Sequence, residues 1–389
     1  MTPVSVAEIV RAVRLGDLAL VVMTAAWILA VRPRPSGVGR APAPPGQPLD
    51  SGIARTIAWC VIPVGFLALA YWARLPGVSL NEPSADWDTS SWALQLEMWS
   101  GMGLIALIYC DGFKPLLTVA AAAYLAIMAY QGFDRFRVLI PLLLLAQIYV
   151  DRRKRRWPNL GMVILLVSAG LLFFPMKDIG RALQQGEPIS DIWQSAKEGI
   201  NSALHGDNPD ELILDQFAST LTLADRHGKL FLGETYAKGL AVFVPRLVWP
   251  SKPSLAEDQH AISTIDRPMA ENGMVATLLG ECYLNFGYVG IIAIPFLSAY
   301  LSGRWYSYAY QHSYSTVARF TYLIFACNLI QIFRDGLSFL PVFAVINMLP
   351  LATIAAMHWL FPIRDGLSSV PILRTPGVRT RTEEGQPVG

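Results

Sequence analysis

The stretch VPRLVWPSKPS at residues 244–254 combines three prolines with an arginine, a tryptophan and a lysine. Because proline fixes φ and cannot continue a helix, this segment is predicted to be stiff and extended. A stiff backbone lowers the entropy cost of directing cations at one target. We therefore predict that Arg246 and Lys252 bind an anion beside Trp249. The alternative is a lipid-facing role, in which Trp249 anchors an interface and the cations contact headgroups.

A second stretch, LLGECYLNFGYVGI at residues 278–291, places the ionisable Glu281 among apolar neighbours. An ionisable group in apolar surroundings is costly, which makes Glu281 a functional candidate. Asn285 follows one helical turn later on the same face. Tyr283 lies between them and could stack on a ring-shaped ligand, although it could equally be packing.

The polar loop SLAEDQHAISTIDRPMAENG joins the two stretches and contains His260 and Arg267. A lone histidine in such a loop is usually solvated, but close to Arg246 and Glu281 it could act as an acid or a base. Glu281 and His260 are therefore two candidates for a catalytic base, and Arg267 is a further candidate cation.

Two short turns, QGFDRFR and FRDG, hold three more arginines, Arg135, Arg137 and Arg334. A guanidinium group is always charged and offers a planar fork that suits two phosphate oxygens. Each of these arginines alone could instead lie at an interface or pair with the neighbouring Asp134 or Asp335. No aspartate pair with metal-ligand spacing occurs in these turns, so we expect a site without a metal or cofactor.

The composition predicts the elements that must position these residues. The chain of 389 residues is 53% hydrophobic and only 15% charged, where soluble domains carry about 25% charge. Its apolar runs are long enough to cross a bilayer as helices, which predicts an all-α polytopic membrane protein with about nine spans, in a range of eight to eleven. The predicted spans are 15–31, 54–73, 92–110, 115–131, 136–150, 159–175, 287–303, 317–333 and 337–361.

The charge of the connecting segments predicts the orientation. Basic residues concentrate in the segments 32–55, 151–157 and 304–319 and in the tail, which places these four in the cytoplasm. The N-terminus and the long segment 176–286 then lie outside, where amphipathic helices of that segment would cover the bundle. The net charge of +2 is too small to indicate nucleic acid. The predicted units are 1–175 and 287–363 in the membrane, 176–286 outside it, and a disordered tail at 364–389.

The two stretches together resemble the bacterial O-antigen polymerase family, the Wzy-type oligosaccharide repeat-unit polymerases. Members of that family tend to show a PR-x-x-WP-x-KP segment ahead of a GE-x-Y-x-NFG-x-x-G segment, and this chain has PRLVWPSKP followed by GECYLNFGYVG. GETYAKGLAVFVP and FRDGLSFLP are similar to further segments of the family. The close match covers residues 232–291.

This resemblance implies a metal-independent glycosyltransferase with a class C-like fold in the inner membrane of a bacterium. It implies that oligosaccharide units carried on undecaprenyl diphosphate are joined at the outer face. Arginines would stabilise the charge of the departing diphosphate, with Arg246 as the first candidate for this catalytic role and Arg135, Arg137 and Arg334 after it. Trp249 and Tyr283 could stack on sugars. A chain-length regulator and a flippase of the same pathway would be the protein partners.

Three other functions are compatible with parts of the sequence. An O-antigen ligase shares the implied fold and donor but transfers the glycan to a lipid A core. A transporter of lipid-linked glycans usually has inverted repeats or broken helices around a midplane site, whereas the charged residues here concentrate at the outer ends. A membrane scaffold or sensor would leave the rigid PRLVWPSKP segment without a role.

Overall fold

The described part of the chain is helical throughout. The structure is a computed structural model and describes residues 5–31, 51–72, 87–131, 136–153, 159–173, 175–205, 213–241, 244, 249, 275–312, 316–343 and 349–360. No strand occurs within these ranges, which confirms the all-α prediction.

Fourteen α-helices follow one another in the described ranges, together with a π-helix at Ser307–His312 and a 3-10 helix at Leu337–Phe339. Their bounds are α1 Val6–Ala30, α2 Ser51–Trp72, α3 Trp87–Asp111, α4 Pro115–Gln131, α5 Phe136–Arg152, α6 Leu160–Phe173, α7 Met176–Gln185, α8 Ile189–His205, α9 Ile213–His227, α10 Glu234–Leu240, α11 Thr277–Tyr306, α12 Thr316–Asp335, α13 Leu340–Phe343 and α14 Leu349–Leu360.

Six predicted spans, 54–73, 92–110, 115–131, 136–150, 159–175 and 317–333, begin and end close to observed helices. The prediction of one helix over 337–361 is wrong, because its described residues divide into the 3-10 helix Leu337–Phe339, α13 and α14. The predicted span 287–303 lies within the longer α11, and α1 is longer than predicted as well. It starts at Val6 instead of residue 15, because Ser5 and Glu8 form a capping box. The Ser5 hydroxyl accepts from the Glu8 amide at 3.3 Å, and the Glu8 carboxylate accepts from the Ser5 amide at 2.7 Å. Two of the otherwise unpaired amides at the helix start are thereby satisfied.

In the part of the chain that the structure describes, two helices are long and apolar enough to cross a membrane, judged by length and composition alone. They are Val6–Ala30 and Thr277–Ala309, and two shorter apolar helices occur at Arg55–Tyr71 and Pro115–Tyr130. Large apolar side chains also lie on the outer surface, such as Leu116, which is 78% exposed. An apolar outer surface indicates contact with a membrane or a partner. The number of about nine spans stays a prediction.

The largest apolar core joins α3, α5 and α12. Ile140, Leu144 and Ile148 of α5 are buried at helical spacing, so that one face of α5 packs inward. Tyr109 at the end of α3 stacks on Phe320 of α12 with ring centroids 4.4 Å apart. α2 packs along α3, and α1 packs along α11.

Charged side chains tie helix ends together at one end of this bundle. Arg55 at the start of α2 pairs with Asp111 at the end of α3. Arg319 near the start of α12 pairs with Asp151 near the end of α5 at 2.6 Å. Arg152 at the end of α5 donates to the Tyr109 and Cys110 carbonyls at the end of α3. The beginnings of α2 and α12 therefore lie on the same side as the ends of α3 and α5. This is the alternation expected from the basic loops, and the cytoplasmic assignment of this side stays a prediction.

The long segment 176–286 contains the predicted amphipathic helices. Phe217, Leu221 and Ala224 on one face of α9 are buried against α1 and α11. The hairpin of α7 and α8 contacts α4 and α6, and α10 contacts the turn after α12. The described helices of this segment thus bury their apolar faces against the bundle, and different helices of the segment pack on different parts of it.

Candidate functional site

The stretch GECYLNFGYVG lies where α11 is broken. Gly287 has φ 61° and ψ −142°, a backbone conformation that is open essentially to glycine alone. The break separates residues 277–286 from the longer half 288–306, which begins where the sequence predicted the start of a span. The two halves fold against each other, since a Cβ on Gly290 would lie 2.0 Å from the carbonyl oxygen of Cys282.

Glu281 in the shorter half is completely buried, at 0% exposure. Its Oε2 accepts a hydrogen bond from the Leu337 amide at 2.5 Å, and its Oε1 accepts from the Ser338 amide at 3.2 Å. The Thr235 hydroxyl also donates to Oε1, at 3.2 Å. The two amides belong to the first residues of the 3-10 helix, so Glu281 caps that helix from another part of the chain.

Asn285 joins the same half of α11 to the start of α10. Its side-chain nitrogen donates to the Thr235 hydroxyl at 2.7 Å and to the Glu281 carbonyl at 2.8 Å. Its side-chain oxygen accepts from the Gly233 amide at 2.9 Å. The segments GETY, GECYLNFG and GLSF therefore meet at one place, the polar junction, which consists of Thr235, Glu281, Asn285, Leu337 and Ser338.

Tyr236 packs beside the polar junction from α10. Its hydroxyl donates to the sulfur of Cys282 at 3.8 Å, and its ring stacks on Phe286 with centroids 6.4 Å apart. Burial raises the pKa of Tyr236 above its usual range, so the hydroxyl stays protonated and remains a donor.

Two of the predicted cations, Arg137 and Arg334, lie near each other. The Arg334 guanidinium at the end of α12 is 5.4 Å from the centroid of the Phe136 ring, and Phe136 directly precedes Arg137 at the start of α5. Arg334 is 3.6 Å from the carboxylate of Asp335, and Arg137 pairs with Glu97 of α3. The structure thus joins residues of two turns that are far apart in the sequence.

Glu97 is a residue that the sequence analysis did not single out. Its side chain is at 0% exposure, and that of its partner Arg137 is at 12%. The signal was present, since Glu97 stands alone as an ionisable group in the apolar run LQLEMWSGMG. Its significance becomes clear only from the helix that packs beside it.

Tyr283 belongs to a different cluster from Glu281, although only one residue separates them. Its hydroxyl donates to Asp225 at 2.9 Å and accepts from Arg11 at 2.6 Å, while the Arg11 guanidinium lies 5.4 Å from its ring centroid. Side chains two apart on a helix point to opposite sides. Burial alone would raise the pKa of Asp225, but hydrogen bonds from Arg11 and Tyr283 hold it below its usual range. This cluster ties α1 and α9 to the break in α11, and the sugar-stacking role of Tyr283 stays a prediction.

Several predicted site residues lie outside the described residues. They are Arg135, Arg246, Lys252, His260 and Arg267. Trp249 is described, and its side chain is 40% exposed.

An apolar cavity of about 530 Å³ lies between α1, α11 and α12. Leu278 and Leu337 line it next to the polar junction, and Trp27 and Trp305 line it towards the other ends of their helices. Such a volume is typical of a ligand site, and a lining of this kind suits a hydrocarbon.

Within the described ranges, no three His, Cys, Asp or Glu side chains come together as metal ligands would. The expectation of a metal-free reaction stays a prediction. Comparisons with protein families, with curated proteins and with solved structures each gave no match for this chain.

Proposed function

We propose that this protein joins oligosaccharide repeat units, carried on undecaprenyl diphosphate, into a bacterial surface polysaccharide at the outer face of the cytoplasmic membrane. One observation carries the proposal. The segments that resemble the polymerase family are distant in the sequence, yet three of them meet in the polar junction, with Arg334 in the turn that leads into it.

The reaction would be a glycosyl transfer without a metal. A hydroxyl of the incoming unit attacks the anomeric carbon of the growing chain, the bond from that carbon to the diphosphate breaks, and the hydroxyl proton passes to a base. Negative charge grows on the diphosphate, and preorganised guanidinium groups stabilise it. Arg334 is the described arginine best suited to this, because its side chain is 24% exposed while that of Arg137 is 12% exposed beside Glu97.

The apolar cavity supports the same proposal. Leu337 of the polar junction and Leu278 line one end of the cavity, which extends between helices with apolar outer faces. We assign it to the isoprenoid tail of the carrier, whose diphosphate would then lie close to Arg334. Each CH₂ group that leaves water contributes about 0.8 kcal/mol to such binding.

A strain that lacks the gene tests the role of Arg334. The wild-type chain should restore long polysaccharide, whereas Arg334→Ala should leave single repeat units at normal protein levels. Arg153→Ala is a matched control, since its guanidinium lies 5.5 Å from the Tyr149 ring in a similar geometry but near the opposite ends of the helices. Full-length polymer from the Arg334→Ala strain would contradict the assignment.

A second candidate is a transporter of lipid-linked glycans, and the broken helix α11 favours it, since discontinuous helices form the binding sites of many transporters. Purified protein with a defined undecaprenyl diphosphate-linked repeat unit separates the functions. A polymerase lengthens the glycan, a ligase leaves it unchanged without a lipid A core, and a transporter moves it across a vesicle membrane without lengthening it.

A further inference from the structure

We propose that Glu281 is a positioning residue that fixes Arg334 in the orientation needed to bind the diphosphate of the carrier. This inference rests on the function proposed above, and it gives Glu281 a role other than that of the base.

The first step is the environment of the carboxylate. A base must place an oxygen against the hydroxyl that it deprotonates. Both oxygens of Glu281 instead face donors of the protein, namely the amides of Leu337 and Ser338 and the hydroxyl of Thr235, and the side chain is at 0% exposure. Glu281 therefore holds the protein together at this point.

The second step is the connection to Arg334. α12 ends at Asp335, and the Gly336 amide closes it by donating to the Ile332 carbonyl at 2.9 Å with φ +99°. The next two amides, of Leu337 and Ser338, donate to the carboxylate of Glu281. Arg334 lies in the last turn of α12. That turn is held by the hydrogen bonds within the helix and also by the hydrogen bonds from the following residues to Glu281.

The third step is how closely these elements approach. A Cβ on Gly336 would lie 2.5 Å from Oε2 of Glu281. A Cβ on Gly239 of α10 would lie 2.4 Å from the carbonyl oxygen of Ser338. A larger residue at Gly336 must displace the Glu281 carboxylate from its amides or move the turn, and a larger residue at Gly239 must move the backbone of the turn.

Binding of undecaprenyl diphosphate without a sugar tests the proposal, because a base that acts on the acceptor contributes nothing to it. With purified full-length protein, Glu281→Gln and Gly336→Ala should each raise the Kd at least about tenfold, since each disturbs charge-assisted hydrogen bonds. Combining Glu281→Gln with Arg334→Ala should weaken binding no further than Arg334→Ala alone. Amide hydrogen exchange at Leu337 and Ser338 should rise in Glu281→Gln.

Gly228→Ala is the matched control for Gly336→Ala. Gly228 also follows the end of a helix with a positive φ, +67°, and its amide donates to the Ala224 carbonyl, but a Cβ there would meet nothing within 4 Å. Its Kd should equal that of the wild type. Thr235→Val removes a single hydroxyl donor, and it should weaken binding by less than Glu281→Gln does.

The outcomes separate this inference from the proposed function. If Glu281→Gln binds as tightly as the wild type while Arg334→Ala does not, the positioning role is wrong and the proposed function stands. If the wild type itself fails to bind undecaprenyl diphosphate, the proposed function is wrong, and the positioning role of Glu281 is wrong as well.

Discussion

At the scale of single residues, the ionisable groups in apolar surroundings differ in how far solvent reaches them. Glu97 and Glu281 are both at 0% exposure, and each meets a partner from a distant helix or turn. Arg334 retains partial exposure. A buried carboxylate is stable only when such partners compensate its lost hydration.

The Glu97–Arg137 pair gives a prediction at this scale. Glu97→Leu removes the acidic partner of a buried guanidinium, which should cost about 3–5 kcal/mol of folding free energy, whereas the double variant with Arg137→Met should regain most of that loss. Thermal unfolding of the purified protein measures both. If Arg137 also binds the diphosphate, the double variant folds but makes no polymer.

Asp151→Leu provides the comparison, because the Arg319–Asp151 pair is more exposed, at 37% and 26%. Asp151→Leu should lower the free energy of unfolding by about 1 kcal/mol or less. Equal losses for Glu97→Leu and Asp151→Leu would contradict the importance of burial at Glu97.

At the scale of elements, the break in α11 determines the arrangement of the site. If residues 277–306 formed one straight helix, Glu281 and Asn285 would lie along the axis of the longer half, away from the turn after α12. The positive φ of Gly287 folds the shorter half back, so that Cys282 approaches Gly290 and Glu281 reaches the Leu337 amide.

The apolar cavity between α1, α11 and α12 gives a prediction at this scale. Ala299 lines it at 7% exposure, and Ala299→Phe should fill part of the space. The affinity for a donor with a full-length isoprenoid tail should then fall about tenfold or more, because several CH₂ groups of the tail can no longer be buried in the cavity. Steady-state assays with long-tailed and short-tailed donors measure this difference.

The control for Ala299→Phe is Ala123→Phe on an exposed position of α4. It adds the same ring to the outer surface, and the KM values for the long-tailed and the short-tailed donor should both equal those of the wild type. A loss of activity with both donors alike in Ala299→Phe would show that the cavity does not take the tail.

At the scale of the whole molecule, the helices alternate in direction. Arg55, Asp111, Asp151 and Arg319 mark one end of the bundle. The start of α1 joins α9 of the long segment through Arg11 and Asp225, which agrees with the prediction that the N-terminus and segment 176–286 share a side. These contacts define helix directions relative to one another, and the prediction that segment 176–286 lies outside concerns their direction relative to the cell.

Labelling of single cysteines tests that direction. After replacement of the four native cysteines, Ser190→Cys at the start of α8 should react with a membrane-impermeant maleimide in intact cells whose outer layer has been made permeable. Lys114→Cys, between α3 and α4, should react only after the inner membrane is opened. Both positions are exposed, so access to reagent is the only variable. The opposite pattern would place segment 176–286 in the cytoplasm and contradict the proposed function.

The sequence by itself determined the helical class, the approximate bounds of α2 to α6 and α12, and the relative directions of the helices that the ion pairs join. These follow from local patterns, namely the length of apolar runs and the placement of basic residues, which depend on neighbours along the chain. It also singled out Glu281, Asn285, Arg137 and Arg334, because polar groups in apolar segments are costly wherever they lie.

The tertiary structure decided what these residues contact. Glu281 and Tyr283 are neighbours in the sequence, yet the helix directs one towards the Leu337 amide and the other towards Arg11 and Asp225. The acidic partner of Arg137 comes from α3. Such partners depend on a chain reversal at a single glycine and on packing between distant helices, and no pattern along the chain encodes either of them.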